Sequence, residues 1–319
     1  MRVAFLGNGI FGLPALEALV RSRHAITSLV TRPDRAQGRG RRQRPTLTKI
    51  RAGELDLPVV EIDSLESAAA AEELRALEAD IWAVVAFPII PDSLLSIPPA
   101  GTVNLHASLL PRYRGAAPVQ WALINGEEVT GVTTFFIDAG IDTGAICLQR
   151  EIAIDPRENA GDLSARLARH GAELLVETLD RVEAGTAERR PQDDALATPA
   201  PRLKKSDGLL DWHEPADRIV NRVRGLTPWP GAYTFLNAER MVVISARRIS
   251  SGEVPWEEGA APAPGTLAGY LVDGTPIVST GSGEGIALLY LQRESRAAAP
   301  GADVIRGMHC ECGECFGAD

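Results

Sequence analysis

The sequence predicts an α/β protein: a Rossmann-like, doubly wound and mainly parallel sheet, followed by a small C-terminal β-barrel of OB-like type. Three observations carry this reading. Short apolar runs alternate with helix-period segments through the first half, the pattern of βαβ units with right-handed crossovers. A stretch from Glu188 to Asp207 holds several prolines and no sustained apolar period. Beyond it come short strand-like runs separated by Gly and Pro, which suit a small barrel. A length of 319 residues suits two cores rather than one. We therefore expect a catalytic domain over 1–187, a linker over 188–207 and a barrel over 208–319.

In order, Val3 to Leu6, Ala25 to Val30, Val59 to Ile62, Ile81 to Phe87 and Gly101 to His106 read as strands. Helices are expected at Leu13 to Arg23 and Ser67 to Glu78, then near Pro118 to Asn125. Strands near Gly131 to Ile137 and Ala145 to Ile154 and a helix from Leu163 to Glu183 complete the unit. The last third predicts a helix over Ala216 to Arg224 and strands at Tyr233 to Leu236, Met241 to Ala246, Pro276 to Ser279 and Ile286 to Leu291.

Composition narrows the function. Hydrophobic residues make up 45% and charged residues 24% of the chain, with no apolar run near the roughly 20 residues a spanning helix needs. No membrane role is expected, and a start that enters a strand directly, without a signal-peptide core, predicts the cytoplasm. Net charge is −9, which disfavours nucleic-acid binding by the whole surface, yet Arg32 to Arg51 holds eight Arg or Lys against one acid, Asp34. Cysteines stand at Cys147, Cys310, Cys312 and Cys315. That is no disulfide framework, and three cysteines crowded into one tail, even with His309 adjacent, predict no metal.

Gly7, Gly9 and Gly12 form G-x-G-x-x-G between a strand and a helix, with Asp34 about 20 residues on, which taken alone is the dinucleotide fingerprint. The second strand, however, ends in Thr31-Arg32-Pro33, so Asp34 already belongs to the basic segment. We read these glycines as a tight turn and a close helix–sheet approach, not as a nicotinamide site.

The chemistry lies elsewhere. Side chains alternate along Gly101 to His106, so Asn104 and His106 share one face of the strand. The run ends in a loop, Ala107 to Gly115, as ligand-binding strand ends do. A second polar turn, Asp138-Ala139-Gly140-Ile141-Asp142-Thr143-Gly144, has glycines on both sides of Asp142. A carboxylate beside His106 would orient it and favour the imidazolium. Ser108 lies outside any nucleophile elbow and Cys147 in an apolar run, so direct transfer without a covalent intermediate is expected.

The stretch Asn104-Leu105-His106-Ala107-Ser108-Leu109-Leu110-Pro111, with Arg114-Gly115-Ala116-Ala117-Pro118 and Ile141-Asp142-Thr143-Gly144, resembles the formyltransferases that use 10-formyltetrahydrofolate. Pro33 to Gly40 resembles the acceptor-stem loop of the branch that acts on initiator methionyl-tRNA. Asp211-Trp212 and Gly225 to Tyr233 resemble its C-terminal domain. The resemblance runs from Met1 to about Gly317. It implies Asn104, His106 and Asp142 as catalytic residues, folate around Ser108, Leu109, Leu110 and Pro111, and tRNA held by Arg35, Arg39, Arg41 and Arg42. We expect no metal and a monomer. Two departures stand out: Gly7-Asn8-Gly9 replaces the family's usual Gly-Thr-Pro, and Ala86-Phe87-Pro88, in the folate-pocket wall, replaces Ala-Tyr-Gly. A formyltetrahydrofolate hydrolase, a sugar-amine formyltransferase, a nicotinamide-dependent oxidoreductase and a non-catalytic RNA-binding protein are the alternatives. The catalytic set disfavours the last two, and the basic segment the first two.

Overall fold

The structure, a computed structural model, describes residues 1–37, 42–250, 252–257 and 260–317, the side chains of 35–37 and 42–44 excepted. It falls into two compact units: Met1–Pro118, Val129–Ala153 and Ser164–Pro201 form the first, and Val119–Glu128, Ile154–Leu163 and Arg202–Asp319 the second. The first three-fifths of the chain run β1 (Arg2–Gly7), α1 (Leu13–Arg21), β2 (Ala25–Thr31), β3 (Arg35–Gln37), β4 (Arg42–Arg44), α2 (Leu47–Glu54), β5 (Val59–Glu61) and α3 (Ala68–Ala76). They continue with β6 (Ile81–Val85), α4 (Asp92–Leu95), β7 (Thr102–His106), α5 (Pro118–Ile124), β8 (Val129–Phe136), β9 (Ile146–Ala153) and α6 (Ala160–Glu183).

The main sheet has the order β5-β2-β1-β6-β7-β8-β9. It is parallel from β5 to β7 and antiparallel across β7, β8 and β9. The order reverses between β1 and β6, which sets the switch point there. Strand β6 is buried throughout, and Phe5, Leu6, Ile81 and Trp82 have no exposure. Such continuous apolar strands are what a sheet covered on both faces requires. Helix α6 covers the face that carries Leu105. Gly171 permits the approach, because a Cβ there would sit 2.7 Å from Leu105 Cδ2. Thr134 and Thr178 bond through their hydroxyls at 2.7 Å across the same contact.

Three elements lie where basic composition hid them. β3 and β4 pair antiparallel, Arg35 opposite Arg44 and Gln37 opposite Arg42. Helix α2 starts at Thr46, whose hydroxyl accepts the Lys49 N–H at 3.1 Å and so satisfies one of the open donors at the helix N-terminus.

His24, just before β2, is a buried titratable side chain. Its Nδ1 lies 3.4 Å from the Met1 ammonium and its Nε2 3.4 Å from Asp180. Burial first, then the ammonium, holds its pKa below the ordinary value, against the opposing pull of Asp180 and Glu183. A group with a depressed folded pKa binds fewer protons folded than unfolded. Its contribution to stability is therefore present above about pH 6.5 and is lost as pH falls below that value. We predict a melting temperature that drops between pH 7 and 5 with a shallower drop in His24→Gln; parallel curves for parent and variant would assign the acid sensitivity to other groups.

The second unit adds α7 (Ala216–Leu226), β10 (Ala232–Leu236), β11 (Glu239–Arg248), β12 (Leu267–Tyr270), β13 (Pro276–Ser279), β14 (Gly285–Arg293), β15 (Ala299–Pro300) and α8 (Gly301–Gly307). Its sheet is antiparallel, ordered β10-β11-β14-β13-β12, with β15 on β14. Residues 313–317 join the two outer strands. Leu267 N–H donates to the Glu314 carbonyl at 2.8 Å, Phe316 N–H to Gly265 at 2.7 Å and Gly317 N–H to Phe235 at 3.0 Å. Thr266 pairs with Cys315, and Leu236 with Phe316. The sheet closes on itself through this segment, giving the barrel. Phe316 is buried with its ring 5.7 Å from that of Trp212, whose indole N–H donates to Thr234 Oγ1 at 2.9 Å.

Candidate active site

Strand β7 buries Val103 and Leu105 and turns Asn104 and His106 to the opposite face. On that face Asn104 lies between Val84 of β6 and Phe135 of β8, and His106 lies opposite Thr133. The connection from β8 to β9 leaves beside Thr102, where the Ile137 N–H donates to the Thr102 carbonyl at 2.8 Å. It nevertheless reaches His106, so this turn folds back along β7 over the face bearing Asn104 and His106. Asp142 takes φ +55°. Gly144 has no room for a side chain, since a Cβ would overlap the Phe136 carbonyl oxygen.

The carboxylate is fixed by the backbone. Asp142 Oδ2 accepts the Gly115 N–H at 2.8 Å and stands 3.6 Å from His106 Nδ1. Gln192 Nε2 donates to the carbonyls of Asp142 and Gly144, both at 2.8 Å, and clamps the turn. His106 is 6% exposed, with Nε2 2.9 Å from the Tyr113 carbonyl. A carbonyl only accepts, so this nitrogen bears the proton and the ring has an acceptor on each side. Asn104 is half-buried, and its amide has no hydrogen-bond partner among the described residues.

The loop after β7 is tied down on the same face. Ser108 is fully buried and its hydroxyl donates to the Arg112 carbonyl at 2.6 Å, so it is engaged within the loop. Thr133 Oγ1 donates to the Ser108 carbonyl at 2.6 Å, while Gln149 Nε2 donates to the Leu110 carbonyl at 2.8 Å. Leu110 is buried against Phe135 and Ile146, while Leu109 and Pro111 stay half-buried.

Of the basic residues singled out above, Arg35 and Arg42 lie on β3 and β4, and Arg39 and Arg41 lie outside the described residues. Asp34 receives the Lys49 ammonium at 3.0 Å, and Asn8 Oδ1 accepts from the Thr31 hydroxyl and the Arg32 N–H, both at 2.8 Å. The acid of the G-x-G-x-x-G pattern is thus paired with a lysine rather than open to a ribose. Sequence reasoning missed Tyr113, Gly115 and Gln192. The first two act through backbone groups, which carry no residue signature. Gln192 sits in the stretch expected to be a linker, yet Arg190 pairs with Ile146, and Arg114 holds both Gln192 Oε1 at 2.8 Å and Asp194 at 2.8 Å.

Among the described residues, the only close grouping of three His, Cys, Asp or Glu ligand atoms is His24, Asp180 and Glu183. Both acids there already hold Arg23, and Glu183 also holds the Met1 ammonium. No helix among those residues is long and apolar enough to cross a membrane.

The family profile described as formyl transferase matches residues 1–179, and that described as formyl transferase, C-terminal domain, matches residues 202–309. The chain belongs to the formyl transferase family. Among curated relatives of this formyl transferase, the methionyl-tRNA formyltransferase of Solibacter usitatus is 44% identical over 96% of each chain. The enzyme of that name from Geobacter sulfurreducens is 43% identical, covering 99% of this chain and 97% of the relative. A solved HypX variant from Aquifex aeolicus matches with TM-score 0.65 at 18% identity, over 98% of this chain but only 48% of its own length, a likeness of fold.

Proposed function

We propose that this chain transfers the formyl group of 10-formyltetrahydrofolate to the α-amino group of methionine on initiator methionyl-tRNA. The observation that carries the chemistry is the gathering of Asn104, His106 and Asp142 over one sheet face, with the Asn104 amide open. The acceptor is supported by relatives of that name matched along nearly the whole chain.

The amine attacks as the free base, which is accessible near neutral pH because an α-amine has a pKa of about 8 or lower. A carbon–nitrogen bond forms to the formyl carbon and its oxygen becomes an oxyanion. Asn104 donates to that oxygen from its amide. His106 donates from Nε2 when the oxyanion displaces the Tyr113 carbonyl, and catalytic hydrogen bonds commonly tighten only in the loaded complex. Asp142 balances the imidazolium and relays the proton lost by the amine, through water, to the folate nitrogen as its bond to the formyl carbon breaks. Proton transfer and hydrogen bonding suffice for this reaction, so it is written without a metal.

The donor docks between the Ala86–Pro88 wall, the Asp142 turn and the Leu109–Pro111 loop, with Ser108 holding that loop from within. Arg35, Arg39, Arg41 and Arg42, together with the C-terminal barrel, take the tRNA, and the enzyme acts as a cytoplasmic monomer. Purified protein given 10-formyltetrahydrofolate and charged initiator tRNA should yield formyl-methionyl-tRNA. Release of formate alone, or formylation of an amino sugar in its place, would overturn the assignment. Arg39→Ala should raise the Michaelis constant for tRNA and flatten the salt dependence of tRNA binding; superimposable salt plots would mean the segment is only surface charge.

A further inference from the structure

The stretch from Arg190 to Ala200 contains no strand and only one short helical turn, Asp194–Leu196, yet both its ends are tied into the first unit. At one end Arg190 pairs with Ile146, just past the Asp142 turn. At the other, the Arg114 N–H donates to the Thr198 carbonyl at 2.8 Å and the Ala200 N–H to the Arg114 carbonyl at 2.7 Å. Thr198 Oγ1 also accepts the N–H of Tyr113 at 2.8 Å, fixing a residue whose φ of +60° is uncommon for a bulky side chain. This strap therefore grips the neighbours of both His106 and Asp142, and Gln192 lies within it.

Chemistry fixes which way the Gln192 amide faces. Arg114 has only donors, so the atom that takes its Nε and Nη2, at 3.1 and 2.8 Å, is the amide oxygen. The amide nitrogen is left to the Asp142 and Gly144 carbonyls, which only accept, and both its hydrogens are used. The circuit closes through the carboxylate: Asp142 Oδ2 accepts from Gly115, the next residue after Arg114. Asp142 is thus held twice, by its side chain and by its main chain. With Oδ2 at 3.6 Å from His106 Nδ1, a shift of about 0.5 Å decides between a hydrogen bond and none.

We infer that Gln192 is a positioning residue for the transfer: it sets the Asp142 carboxylate against His106, and Arg114 sets the Gln192 amide. The inference rests on the catalytic roles proposed above. Gln192 acts through Asp142 and not on the reacting atoms, so its contribution belongs to turnover rather than to substrate binding.

Gln192→Leu nearly keeps the volume and removes the donor. Its turnover should fall about tenfold, less than the roughly hundredfold of a 1 Å misplacement because Gly115 still holds the carboxylate, with both Michaelis constants within about twofold of the parent. Gln192→Glu keeps an oxygen for Arg114 but offers the two carbonyls no N–H, and should be at least as slow; a role confined to packing of the strap would leave it near the parent. Asp193→Ala frees the Ala195 N–H, bonded at 3.0 Å elsewhere on the strap, and should turn over like the parent. Slow turnover there would make the order of the strap the cause, and not the Gln192 amide. The deciding measurement is a double-mutant cycle: in the Asp142→Asn background, Gln192→Leu should cost less than about a further twofold. Another tenfold loss in that background would overturn the inference, as would parental turnover in the Gln192 variants or losses confined to a Michaelis constant. If Asp142→Asn is slow while the Gln192 variants are not, only this inference falls. If Asp142→Asn itself runs at the parental rate, the catalytic reading falls and takes the inference with it.

Discussion

His106→Ala and Asn104→Ala should each lower turnover by at least about a hundredfold, the scale of removing one donor from an oxyanion site. The two variants should differ in how the rest of the protein responds. Asn104 is half-buried and its amide holds nothing among the described residues, so its loss should leave the melting temperature near that of the parent. His106 is buried and anchors the Tyr113 carbonyl, so its loss removes that hydrogen bond and should also cost stability, by about 1 kcal/mol. Turnover near the parent's in either variant would remove that residue from the chemistry. A stability loss in Asn104→Ala equal to that in His106→Ala would instead make the asparagine a structural residue.

Asp142→Asn should be nearly as damaging to turnover with little effect on the fold. Asparagine adopts positive φ readily, and its side-chain oxygen still accepts the Gly115 N–H, so the turn keeps its shape. What disappears is the negative charge that balances a protonated His106. Turnover should fall at least about a hundredfold, as when the acid of a catalytic histidine becomes an amide. Gly144→Ala separates charge from position, because a methyl group there collides with the Phe136 carbonyl oxygen and must displace a turn whose carboxylate is unaltered. Both variants should therefore be slow, but only Gly144→Ala should also melt early. If Asp142→Asn turns over like the parent with an unaltered pH–rate profile, Asp142 does no more than shape the turn.

The parallel half of the fold was legible because buried strands are written as unbroken apolar runs: Ile-Trp-Ala-Val-Val needs two covered faces and allows few other readings. Asn104 and His106 were legible for the related reason that a period of two puts them on one face. The missing elements have physical explanations. β3, β4 and α2 are rich in arginine and lysine and show neither apolar period. Leu267–Tyr270 contains a glycine and is too short to alternate visibly. The hold on Asp142 depends on Gly115 and Gln192, which are 27 and 50 residues away in the chain and meet it only once the sheet has formed. Nor does composition tell that the stretch around Gln192 runs along the edge strand β9; its prolines deny it a regular element without setting it free.

The barrel of the second unit is fastened at one place. Residues 313–317 engage β12 on one side and β10 on the other, like the buckle of a belt. If that buckle slips, both strands acquire bare rims of N–H and C=O groups, and such rims recruit strands from other molecules. The same few hydrogen bonds that complete the barrel therefore also cover these rims. Crowding at the buckle, by a bulky adduct on the exposed Cys315 for instance, would show first as self-association and only later as unfolding.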